Sequence, residues 1–242
     1  MKFPLYLTLL ILLLTARAEV NSQYLKIDSL VRIIVKSDTL FSFSNIQVRG
    51  SVSSDEASYA YDQIENAVAK YPPALILFEL DKIKLAHIIK LKGQKISGTY
   101  KNMTIYLTTK NKSLIERAFH EQFALMLLVK YGRYFDNTSW DQRGNLSAIQ
   151  TIPVDKGKIS NRPTLMELYA KGFLSAAGWS EMKNDFSDFS ASLFEGGRSF
   201  WKVVDSYSKI KEKTLLAINF YHQLNPIFTE SWFRFLAEYR LF

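Results

Sequence analysis

Ala118-Phe119-His120-Glu121-Gln122-Phe123-Ala124-Leu125-Met126 lies in the middle of an apolar stretch with the period of a helix. It nearly completes the pattern H-E-x-x-H. That pattern puts two histidines one helical turn apart so that both can hold a Zn²⁺ ion, and it places the intervening glutamate as general base on the metal-bound water. His120 and Glu121 fill the first two positions, and Ala124 stands where the second histidine would be. Alanine offers no lone pair, so the helix keeps one candidate ligand and the candidate base, Glu121.

Working outward, Asn111-Lys112-Ser113 precedes this helix, which is predicted from about Leu114 to Tyr131. Upstream, Lys82 to Lys90 alternates and is rich in β-branched residues, and Met103 to Thr108 reads the same way. Both are predicted strands, separated by the breaks at Lys92-Gly93-Gln94 and Gly98-Thr99-Tyr100. Val31 to Val35 is another predicted strand. A helix is expected from about Glu56 to Lys70, capped from Ser51-Val52-Ser53-Ser54-Asp55, striped by Ala60, Ile64 and Val68, and stopped by Tyr71-Pro72-Pro73. A short helix from Ala74 to Leu80 follows it.

Downstream, Gly132 to Pro163 is polar and weakly periodic and reads as a long loop. Helices are then expected near Thr164–Tyr169, Lys183–Phe194, Phe200–Asn225 and Thr229–Arg240, with breaks at Gly196-Gly197 and Asn225-Pro226. Strands early and helices late give an α+β class. The expected architecture is a small mixed sheet packed on the motif helix, followed by a mainly helical C-terminal half, all in one domain over 19–242.

The N-terminus reads as a secretory address. Lys2 supplies a positive start, Phe3 to Leu14 an apolar run, and Ala16-Arg17-Ala18 a small-x-small cleavage site before Glu19. The apolar run falls short of the ~20 residues that span a bilayer. A signal peptide over 1–18 is therefore expected, with an uncleaved anchor as the competing reading. The expected location is periplasmic or secreted. The chain has no cysteine, which excludes disulfides, thiolate metal sites and cysteine nucleophiles. Four N-x-S/T sequons, at Asn102, Asn111, Asn137 and Asn145, matter only in a eukaryotic secretory route. Net charge is +8, read here as solubility charge spread along the chain rather than a nucleic-acid-binding arm.

The order of segments resembles a family of bacterial exported zinc-binding metallopeptidases of the zincin type. The points of contact are Lys70-Tyr71-Pro72 closing a helix, the Gly98-Thr99-Tyr100 turn before Thr104-Ile105-Tyr106-Leu107, and Phe119-His120-Glu121 on the motif helix. They continue with Trp140, Gly172-Phe173-Leu174-Ser175, Asn184-Asp185-Phe186-Ser187-Asp188 and Asn225-Pro226. The resemblance covers roughly Ser53 to Phe235.

The resemblance implies a zincin fold, a zinc cofactor, and a site with Glu121 as catalytic base and His120, Asp185 and Asp188 as metal ligands. The departures fall on that site. Ala124 replaces the second histidine, and Asn184 replaces the glutamate expected to supply the third ligand. Ser175 is followed by Ala176-Ala177-Gly178 instead of the oxyanion-stabilising tyrosine. His87 and His222 are the only other histidines, and neither stands at i, i+4 from His120. The implied function is a metal-poor, inactive or weakly active family member that binds a protein or peptide as a scaffold module. The alternatives are an active zinc-dependent peptidase with an altered ligand set, and a basic surface-associated adhesin unrelated to zincins.

Overall fold

The structure, a computed structural model, describes residues 32–34, 41–43, 45–50, 52–144 and 163–238. The expected signal peptide and the second half of the expected long loop lie outside the described residues.

The chain begins with β1 (Arg32–Ile34), β2 (Phe41–Phe43) and β3 (Ile46–Arg49), then α1 (Ser54–Val68) and α2 (Pro73–Glu79). The first helix starts where its sequence offers a capping box. The Ser53 hydroxyl accepts from the Glu56 N–H, and the Glu56 carboxylate accepts from the Ser53 N–H, satisfying backbone donors that the first turn leaves open. Pro72 and Pro73 end that run and open α2, since proline is tolerated in the first turn, where its missing N–H is not needed.

Next come β4 (Lys82–Ala86), β5 (Ile88–Leu91), β6 (Gln94–Ile96), β7 (Gly98–Lys101) and β8 (Thr104–Thr108). The single strand predicted over Lys82 to Lys90 is two, because the chain leaves one sheet and enters another at His87. Gly50 packs there with φ +93°, and a Cβ on it would come within 2.8 Å of the His87 Cβ. Only glycine meets both conditions.

The helical half holds α3 (Ile115–Tyr131), α4 (Asn137–Gly144), α5 (Leu165–Lys171), α6 (Met182–Glu195), α7 (Gly197–Ser206), α8 (Ser208–Leu224) and α9 (Glu230–Glu238). Two expectations are corrected. Part of the expected loop after Gly132 is helical: Asp136 accepts from the Ser139 N–H at 2.9 Å and starts α4, which carries Trp140 into the core. The helix predicted from Phe200 to Asn225 breaks at Tyr207, whose extended φ and ψ (−127°, 112°) end α7 before α8 begins.

Two four-stranded sheets result. The first has the order β1-β4-β8-β7, with β1, β4 and β8 parallel and β7 antiparallel at one edge. It is a mixed sheet, and α3 packs against β7 and β8. The second has the order β2-β3-β5-β6 and is wholly antiparallel. Ile83, Leu85, Ile105 and Leu107 point from the first sheet into the main core with the helices, whereas Ala86 and Tyr106, on the other face, join Ile46, Val48 and Ile89 in a smaller core beneath the second sheet. The layers are therefore helices, mixed sheet, antiparallel sheet. The α+β class is as expected.

The charge distribution is not. Lys82, Lys84, Lys90, Lys92, Lys95, Lys101, Lys110 and Lys112 fall between Asp81 and Glu116 with no carboxylate among them, so this stretch carries a positive charge equal to the +8 of the whole chain. No described strand contains Asp or Glu. The reading of lysines spread along the chain is corrected: the positive charge is concentrated on the sheets, and the described helices carry more carboxylates than cations.

Candidate functional site: the facing helices α3 and α6

His120 and Glu121 sit mid-way along α3, and Asp185 and Asp188 lie on α6. The two helices pack closely, so the segments that the sequence singles out do come together. Their side chains, however, fall into separate polar groups.

His120 is fully buried among aromatic rings. It stacks on Phe194 of α6 at 5.1 Å with 12° between planes, and lies 5.6 Å from the ring of Tyr71. Its Nδ1 is 2.9 Å from the Tyr71 hydroxyl, and its Nε2 faces Glu116 Oε1 at 3.7 Å, too far for a good hydrogen bond. Glu116 is ionised: burial opposes that, but His120 and the Lys70 ammonium hold its carboxyl at about 2. A proton on Nε2, with Nδ1 accepting from the Tyr71 hydroxyl, is the tautomer this surrounding favours. Burial pushes the imidazole down to about 4 despite Glu116, so His120 is neutral at physiological pH.

Glu121 belongs to a different group. Arg117, one turn earlier on α3, places Nε 3.0 Å from Glu121 Oε1, Nη2 3.2 Å from Asp188 Oδ1 and Nη1 3.8 Å from Glu195 Oε2. One guanidinium thus ties two carboxylates of α6 to one of α3, the kind of sharing its fixed fork of donors allows. Burial pushes the Glu121 carboxyl up to about 7; Arg117 pulls it down, and Asp188 and Glu195 add to the rise. Glu121 can therefore exchange a proton near neutral pH.

The third group is sealed. Lys213 of α8 and Asp185 of α6 are both excluded from solvent, with Nζ 2.5 Å from Oδ2, and the Trp140 indole N–H donates to the same oxygen at 2.8 Å. The ammonium also lies over the Phe173 ring, 4.1 Å from its centre. Burial pushes Asp185 up to about 6 and Lys213 down, each against the pull of the other.

The Gly172–Ser175 segment closes the arrangement. Gly172, at φ +88°, ends α5 in the left-handed conformation and turns Phe173 under Lys213. The Ser175 hydroxyl donates to Asp188 Oδ2 and accepts from the Gly178 N–H at 3.1 Å. A Cβ on Gly178 would lie 3.1 Å from both Asp185 Oδ1 and Asp188 Oδ2, so a side chain there would crowd the two carboxylates.

Among the described residues no group of three or more His, Cys, Asp or Glu is placed to hold a metal ion. The donor set itself fits zinc poorly. Each carboxylate near His120 or on α6 is already paired with a cation of the chain: Glu116 with Lys70, Asp185 with Lys213, and Glu121, Asp188 and Glu195 sharing Arg117. Ala124 is fully buried in the main core rather than facing a cleft, and Asn184 Nδ2 only approaches Ser180 Oγ, at 3.4 Å. His87 pairs with Glu56 in the first turn of α1, and His222 is exposed on α8.

Sequence reasoning missed the cations. Arg117 was legible as an i, i+4 partner of Glu121. Lys213 had a subtler signal, occupying one place in the apolar stripe Ile210, Thr214, Ala217 and Ile218 of α8. Comparison with protein-family models, with curated proteins and with solved structures gives no match.

Proposed function

We propose that the chain is an exported zincin-like protein whose metal position has been given over to ion pairs, and that it serves as a binding or scaffold module for a protein or peptide. The observation that carries this reading is the Arg117 guanidinium shared between Glu121 of the motif helix and Asp188 of the facing helix. A fixed cation of the chain there pairs with carboxylates that a divalent metal would otherwise pair with, and it braces the two helices. The mixed sheet against α3 and the approach of α6 to His120 support the kinship. The resemblance and the apolar leader-like N-terminus support export.

One observation favours a second reading, a peptidase with an altered ligand set. Glu121 is half-buried and titrates at about 7, a value suited to a general base. Hydrolysis of a fluorogenic peptide library with zinc present, compared between the wild type and Glu121→Gln, separates the two. The scaffold reading expects the same background rate from both proteins. Turnover that disappears with Glu121→Gln would establish the peptidase and remove the scaffold reading.

A further inference from the structure

The antiparallel sheet is the outermost layer, and its outer face points away from the helices. Register sets Gln47, Lys90 and Lys95 side by side across β3, β5 and β6, and pairs Arg49 with Ile88 further along the same face. Ile88 is half-buried there, with Arg49 beside it and Lys90 next on its own strand, so the face is basic around one aliphatic side chain. Helix α1 carries the opposite pattern. Asp55, Tyr59, Asp62 and Glu65 follow at three- and four-residue steps and form one exposed stripe, acidic around one aromatic ring. Lys112, in the turn before α3, lies over the Tyr59 ring at 5.4 Å and offsets part of that charge. Among the described residues, Arg49, Lys90, Lys95, Asp55, Asp62 and Glu65 have no ion-pair partner. The two faces therefore do not satisfy each other within one copy.

We propose that these two faces bind each other between copies of the chain, with the α1 stripe of one copy lying on the outer sheet face of the next. The inference goes beyond the zincin reading and does not depend on it. Charge complementarity selects the occupant. A second copy brings a row of unpaired carboxylates to a group of unpaired cations, and it sets Tyr59 against Ile88 as an apolar contact inside a charged rim. A symmetric dimer through either face alone would bring like charges together, which opposes it. The contact is therefore head-to-tail, and copies add in a row or close into a ring. Because the charges are exposed, the contact is weak and is screened by salt.

The test is sedimentation velocity of the chain, as its host processes it, at roughly 0.1 mM protein, where weak contacts are populated. Species larger than the monomer are expected in about 0.02 M salt and should dissociate in about 0.5 M salt. Lys90→Glu with Lys95→Glu should weaken association on the order of a hundredfold, and so should Asp62→Lys with Glu65→Lys. Mixing the two reversed proteins one to one should restore it, because each then offers the other a face of opposite sign. The control Lys183→Glu with Lys202→Glu, at exposed helical sites, should leave most of it. Lys90→Gln with Lys95→Gln reads the same contact should a reversed variant fail to fold, and should weaken association about tenfold.

Four outcomes would overturn the proposal. They are a wild type that stays monomeric in low salt, association indifferent to salt, equal loss in the helical control, or a mixture no more associated than either reversed protein alone. The first would leave the sheet face to an acidic partner other than this chain.

Discussion

Lys213 Nζ lies 2.5 Å from Asp185 Oδ2, with both side chains shut off from solvent and aromatic rings on the remaining sides. Two desolvated charges gain little net stability together, but either one left alone is costly. Lys213→Met should therefore destabilise the protein by about 3–5 kcal/mol in urea denaturation. Adding Asp185→Asn should restore part of that loss, since Trp140 can still donate to the amide oxygen. A neutral single variant would mean that Asp185 is not charged in the fold.

Glu121 gives a pH dependence of definite sign. Its carboxyl is raised in the fold to about 7 from an ordinary 4.5, first by burial. The folded protein therefore holds a proton that the unfolded chain releases. The stability this gives is fully present below about pH 4.5 and is lost as pH rises through 7. Glu121→Gln should match the wild type near pH 4.5 and exceed it by about 1–3 kcal/mol at pH 8, the lost Arg117 contact reducing the gain. Denaturation at the two pH values checks this, and a variant weaker than wild type at pH 8 would contradict the burial argument.

His120 acts in the opposite direction. Its imidazole is lowered to about 4 by burial, so the unfolded chain binds the proton first. Its contribution to stability grows as pH rises from about 4 to 6.5. His120→Gln should flatten the acid side of the pH–stability curve, and an unchanged curve would place the imidazole in water.

Ala124 is sealed in the main core with Phe119, Phe123 and Leu127. Ala124→His, which would restore H-E-x-x-H in sequence, should overpack that core and bury a polar ring. The expected cost is about 2–4 kcal/mol in thermal or urea unfolding. Tolerance of the histidine would show open space one turn beyond His120.

Arg117→Ala should leave Glu121, Asp188 and Glu195 facing one another without their shared cation. The Glu121 midpoint, followed by carbon-13 NMR of its carboxyl, should rise above its value of about 7, because Arg117 is what holds it down. Since these groups are partly exposed, the stability loss should stay near 1–2 kcal/mol.

Much of the architecture was legible because local chemistry settles it. The capping serine at 53, the prolines at 72 and 73 and the apolar period of 115–131 each act over one or two turns, and those elements fell within a few residues of expectation. The split at His87 was not legible, because alternation continues unbroken through it and only the choice of neighbouring strand changes. The start of α4 rests on a single Asx contact at Asp136 inside a polar stretch that otherwise lacks periodicity. At the site, the meeting of α3 with α6 could be anticipated from the order of segments. The partners of the charges could not: Lys70, Arg117 and Lys213 reach their carboxylates across 46, 71 and 28 residues of sequence. The charge on the sheets was present in the composition, but it needed the strands to give it a face.

Under the proposed function, Arg117 and Lys213 hold the carboxylates that a zinc ion would need. Zinc content of the chain, purified from zinc-supplemented culture without chelators and measured by elemental mass spectrometry beside His120→Ala, tests this most directly. Well under one zinc per chain is expected, with the same low figure for both proteins. One zinc per chain in the wild type, lost with His120→Ala, would contradict it.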